Sequence, residues 1–195
     1  MDFSFNVFPR YNTLKRLEYF CFRIILETSA GNHFTIYGKM KKYFLKLYQY
    51  NAWADNRVLD CLSRQKVGDE KILALMGHIM ASQFAWLHRI TGLPTPGLKL
   101  WGAYQLDELL GLGEKSGKQW LAYVAATEEF NREMTYKNYA GDIFTNNVEM
   151  VMIHVVNHSS YHRAQIAMQL REKGFEPVNT DFITYDRVIT GQLKD

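Results

Sequence analysis

The stretch TNNVEMVMIHVVNHSSYHRAQIAMQLREKG, residues 145–174, decides how the chain is read. Val148, Val151, Val155, His158, His162, Ile166 and Gln169 recur at the 3.6-residue period of one helix face. Thr145 or Asn146 supplies an N-cap, and Lys173-Gly174 a stop. Within this helix His154, His158 and His162 stand at i, i+4 and i+8, so their side chains rise along one face. Neighbouring members are roughly 5–6 Å apart at Cβ, and metal–nitrogen bonds are about 2 Å long. Two such imidazoles can therefore share one metal ion. Buried side by side in an apolar stripe, they are costly unless partnered. A metal satisfies both, and so do hydrogen-bonded core histidines. The helix by itself leaves the two readings balanced.

Working outward, three more helical patterns precede this one. The first covers about Met40 to Arg64, with Tyr43, Phe44, Leu47, Asn51, Ala54, Val58 and Leu62 at helix spacing. The second covers about Glu70 to Thr91, with Asp69 as N-cap and Gly92 then Pro94 as the stop. Pro94, Pro96 and Gly97 mark the clearest loop. The third covers about Asp107 to Met134, with Gly111, Gly113 and Gly117 expected to loosen its start. Thr135 to Phe144, with its Gly141-Asp142 step, reads as an extended crossover or short hairpin. The expected class is all-α.

A third ligand should come from another helix. His78 lies in the apolar second helix, with small Ser82 and Ala85 on its side. Alone it reads as a core histidine; beside the fourth-helix pattern it is the best candidate. His88 precedes Arg89 and reads as partly solvated, and His33 lies in the doubtful N-terminal region. The H-x-x-x-H of zinc proteases carries a glutamate after its first histidine. Here Ser159, Ser160 and Tyr161 intervene, which excludes that reading.

The first 39 residues differ from the rest. Thr13 to Thr28 could form an amphipathic helix through Leu14, Leu17, Cys21, Ile24 and Ile25, broken by Gly31 and Asn32. They read either as an extra helix or as sequence upstream of a true start at Met40, and the second is preferred. Residues 40–195 form the expected domain. The 47% apolar and 22% charged content is ordinary for a globular protein, and a net charge of +3 without a basic run argues against a nucleic-acid partner. Cys21 and Cys61 make no metal or disulfide pattern, and no stretch suits a membrane span or signal peptide, so a cytoplasmic location is expected.

Taken together, Tyr50-Asn51-Ala52-Trp53-Ala54, Gly77-His78-Ile79 with Trp86-Leu87, Asn157 through Gln165, and Asp181-Phe182-Ile183-Thr184-Tyr185 resemble the DinB (damage-inducible) and YfiT-like proteins from about Met40 to Tyr185. The resemblance implies an antiparallel four-helix bundle with a long crossover between helices two and three, usually a homodimer. It implies one divalent metal on His78, His158 and His162, with His154 as an alternative or supporting residue. Ala164 replaces the usual glycine, and Asp55 a common asparagine. Imidazole ligands suit zinc or nickel. Asn157, Tyr161 and Gln165 are placed to orient ligands or substrate, and no residue stands out as a general base. Three functions follow as expectations: a metal-dependent enzyme activating a small low-molecular-weight thiol for transfer, which the resemblance implies for some members; a hydrolase using metal-bound water; or a non-catalytic, stress-related dimeric metal binder.

Overall fold

The computed structural model describes residues 30–93, 97–138 and 140–194, with side chains from residue 38 onward. The described residues are mostly helical with one small two-stranded sheet. Its order is α1 (Ala30–Arg64), α2 (Glu70–Thr91), α3 (Leu106–Ala126), β1 (Glu133–Lys137), β2 (Ile143–Asn147), α4 (Val148–Glu172) and α5 (Phe182–Ile189). The expected helix at Thr13–Thr28 lies outside the described residues. The helix expected from Met40 begins instead at Ala30 and includes Gly31 and Asn32. Everything below concerns the unit Lys39–Asp195.

Local chemistry explains the boundaries of the two helices that carry the histidines. Asp69 accepts bonds from the backbone N–H of Lys71 and Ile72, both at 3.1 Å, and so caps α2. Gly92, at φ 72°, ends it in the left-handed region. Asn147 accepts from Glu149 N–H at the start of α4, one or two residues beyond the expected caps. Lys173 and Gly174 close that helix.

The third helix ends at Ala126, well before Met134. Thr127 turns to extended backbone at ψ 130°, which stops the helix, and its hydroxyl bonds the Tyr123 carbonyl. Phe130 and Met134 are buried, but from the following loop and from β1. The strands pair antiparallel with Tyr136 opposite Phe144, so the segment is a hairpin. The glycines of α3 do not loosen it. A Cβ on Gly113 would strike Leu59, and one on Gly117 would crowd Ala52, so both let α3 lie close against α1.

The core has two apolar clusters. Phe44, Tyr48, Leu87, Trp120, Val124, Val151 and Val155 belong to one; Val58, Leu62, Met76, Ile79, Leu109, Ile166 and Leu170 belong to the other. Along each long helix the side chains pass from one cluster to the other. Near each crossing sit buried polar residues: Asn51 and Asp55 on α1, Gln83 on α2, Ser116 on α3, Ser159 and Arg163 on α4. A polar belt therefore separates two greasy ends, and the candidate site lies at its level.

Candidate metal centre

The fold brings His78 of α2 to His158 and His162 of α4. One ligand nitrogen from each lies within 4.8 Å of the other two. His78 Nε2 and His158 Nε2 are 3.1 Å apart. Two nitrogens on one tetrahedral ion with bonds of about 2.0–2.1 Å sit roughly 3.3–3.4 Å apart, so this pair needs to relax by only tenths of an ångström.

The outer hydrogen bonds set the tautomers. A carbonyl oxygen can only accept, so His78 donates its Nδ1–H to Leu100 O at 2.9 Å and turns the Nε2 lone pair inward. His162 likewise donates Nδ1–H to Gln165 Oε1 at 2.7 Å. Burial, followed by His162, His78 and His154, pushes His158 down from 6.5 to about 3. Burial also lowers His78, against the opposing pull of the Leu100 carbonyl. Neutral imidazoles with preset lone pairs are the form a metal requires. By donor type and orientation the three histidines fit a divalent ion.

A loop supports this arrangement. The Trp101 ring stacks on His78, with centroids 3.8 Å apart and planes inclined by 9°. Tyr104 donates to Lys99 O and lays its ring over Gly77, where any side chain would collide with it. Gly77 thus admits the loop that carries both Leu100 and Trp101 to the neighbouring histidine. Sequence reasoning missed Trp101; an aromatic residue just past a Pro/Gly loop was the only signal.

The polar belt braces the same turn of α4. Arg163 Nη1 donates to Asp55 Oδ1 at 2.7 Å and to Asn51 Oδ1 at 2.9 Å. Gln83 Nε2 reaches Asp55 Oδ2 at 2.7 Å and Ser159 Oγ at 3.0 Å, while Ser116 donates to Gln83 Oε1 at 2.5 Å. Burial raises the Asp55 carboxyl, and Arg163 and Gln83 pull it back. With every hydrogen-bond partner a donor, Asp55 is held as a carboxylate. The acid at position 55 is therefore the counter-ion of Arg163. Because Ser159 and Arg163 each follow a histidine, the network fixes the rotation of α4 and the aim of both imidazoles. Gln83 and Ser116 carried no sequence signal.

The other candidate residues occupy varied positions. Gln165 contacts His162 as described. Tyr161 is exposed, its ring edge-on to His162 at 5.1 Å, and Asn157 is exposed on the same helix. His154 lies outside the three-nitrogen cluster, 5.6 Å from the His158 ring and 5.5 Å from Trp86. Ala164 is exposed, so its methyl displaces nothing in the site. Beside the histidines is a cavity of about 320 Å³, walled by His78, His158, Arg89, Trp86 and the hairpin residues Tyr136 and Phe144.

These features define a class: a helical protein with a candidate three-histidine metal centre on two adjacent helices. The chain belongs to the DinB family, whose model matches residues 39–192. It is also similar to the protein DinB of Bacillus subtilis (strain 168), with 23% identity over 163 residues, which are 75% of this chain and 95% of that protein. No described helix is long and apolar enough to cross a membrane.

Proposed function

We propose that this protein binds one divalent metal ion, zinc or nickel, through His78, His158 and His162, and catalyses transfer of a small thiol to an electrophile. The observation that carries the reading is the convergence of three imidazole nitrogens on one point, two with lone pairs preset by Leu100 O and Gln165. Such an ion supplies positive charge at an open position, which favours a thiol as its thiolate. The thiol proton passes to solvent, sulfur bonds to the electrophilic carbon, and the leaving group departs with its electron pair. Among the described residues no carboxylate lines the adjacent cavity. Hydrolysis by bound water would benefit from a general base there. A thiol of ordinary pKa about 8.5 needs no such help, so thiol transfer is preferred to hydrolysis.

The frame we propose is an antiparallel four-helix bundle, with residues 92–105 as the crossover between α2 and α3. The division of all four long helices between the same two core clusters supports it. We also propose a homodimer. Met150, Tyr161 and Met168 form an exposed row on one face of α4, suited to a second copy.

Metal analysis and calorimetric titration with zinc or nickel test the centre. The intact chain is expected to bind one equivalent, and His158→Ala with His162→Ala to weaken binding by at least roughly a hundredfold. Equal binding would overturn the metal reading. Thiol-plus-electrophile assays beside amide and ester hydrolysis then separate the chemistries. Thiol transfer lost in His158→Ala supports the proposal; hydrolysis alone favours the alternative. Inactivity in both assays, with dimers that depend on metal, favours a non-catalytic binder.

A further inference from the structure

We propose that a second cavity, on the opposite face of α4 from the histidines, binds a free short peptide, Asp181 taking its ammonium end and Arg171 its carboxylate end. The inference is independent of the metal and of any thiol chemistry.

Ser160, Ala164, Ala167 and Arg171 follow at steps of four, three and four along α4 and so share one face. Each residue advances a helix by about 100°, which turns this face roughly 180° away from His158 and His162. The four residues line a cavity of about 380 Å³ together with residues 177–181, which belong to no helix or strand. Tyr50 fixes one end of it. The Tyr50 hydroxyl donates to Thr180 O at 2.9 Å and lies 3.5 Å from Ser160 Oγ. Asp181, next to Thr180, therefore stands near the Ser160 end, and Arg171 near the other. Helical rise separates Ser160 and Arg171 by roughly 16 Å at Cα, and the arginine leans back towards the start of the helix.

The groups along this trough suit a peptide. Both Arg171 and Asp181 line it, yet neither side chain has an ion-pair or hydrogen-bond partner among the described residues. A ligand with an ammonium and a carboxylate complements both, whereas a plain anion or cation meets repulsion at one end. Arg163 Nη2 donates to Ser160 Oγ at 2.9 Å, so the serine oxygen serves as an acceptor and its O–H is left for a ligand carbonyl. Val178 and Asn179 make no backbone hydrogen bond among the described residues, and such groups can pair with an extended chain. Ala164, Ala167 and Val178 give the trough an apolar lining for small aliphatic side chains. Extended backbone spans about 3.3–3.6 Å per residue, so about three or four residues reach from one charge to the other.

The test uses the full chain with dialanine, trialanine and tetra-alanine, each also in its N-acetyl and C-amide forms. NMR titration is expected to show trialanine or tetra-alanine binding at least roughly fivefold tighter than dialanine and than either blocked form. The shift changes should fall on Arg171 and residues 177–181. Both charged residues are exposed, so their replacement leaves the core intact. Arg171→Gln should erase the preference for free acid over amide and keep that for amine over acetyl; Asp181→Asn should do the reverse. Absence of binding by every alanine peptide, equal affinity of free and blocked forms, or a preference that survives the matching variant overturns the assignment. Shift changes confined to the histidines overturn it as well, and so does acetate binding as tightly as trialanine, which would mark a simple anion site.

Discussion

At Gln165 a single amide oxygen decides which nitrogen of His162 faces the other two imidazoles. Gln165→Leu removes that acceptor while keeping bulk, and is expected to weaken metal binding by roughly ten- to a hundredfold. Competition titration against a chromogenic chelator measures it. The lowered His158 and His78 also make a pH prediction. Their folded-state values lie below the ordinary 6.5, so the unfolded chain binds more protons in acid. The stabilising contribution is complete above about pH 6.5 and is lost as pH falls from there towards about 3. Urea midpoints of the metal-free protein should therefore decline across that window, and less steeply in His158→Gln. Unchanged midpoints in the variant would show that the ring carries no such linkage.

At the level of elements, small residues set the spacing. Gly113 lets α3 rest against Leu59, which is buried in the core. Gly113→Val is expected to destabilise the fold by about 1–3 kcal/mol, read as a lower urea midpoint. Gly77→Ala acts differently, because the added methyl meets the Tyr104 ring and pushes on the loop that delivers Leu100 and Trp101. Its main effect should be weaker metal binding, with helical content by circular dichroism retained. The glycines of α3 looked like helix-weakening residues because sequence shows their cost in propensity but not the neighbour that requires them. The third helix stops short of the expected Met134 for a related reason, although Phe130 and Met134 are both buried. Apolar spacing reports burial, and a loop leading into a strand can bury the same residues.

At the scale of the molecule, the polar belt ties all four long helices through one buried charge pair. Removing a single partner leaves the other charge buried and alone. Arg163→Met or Asp55→Ala should each cost about 3–5 kcal/mol, and the double variant less than their sum, as denaturant titration would show. The described core begins at Phe44, so a chain starting at Met40 is expected to match the full chain in urea midpoint and metal stoichiometry. A clear loss of either would assign residues 1–39 a structural role.

The sequence by itself determined the helical character of this protein, both caps of α2, the stop of α4, and the choice of His158 with His162 as candidate ligands. Those features are local: periodicity, capping chemistry and a four-residue spacing are written within single segments. The tertiary structure decided the rest. It brought Leu100 O and Trp101 to His78, matched Asp55 with Arg163, and tied Tyr50 to Thr180 O. Those partners lie tens of residues apart, and only chain packing selects them, since isolated segments carry no record of what they will touch.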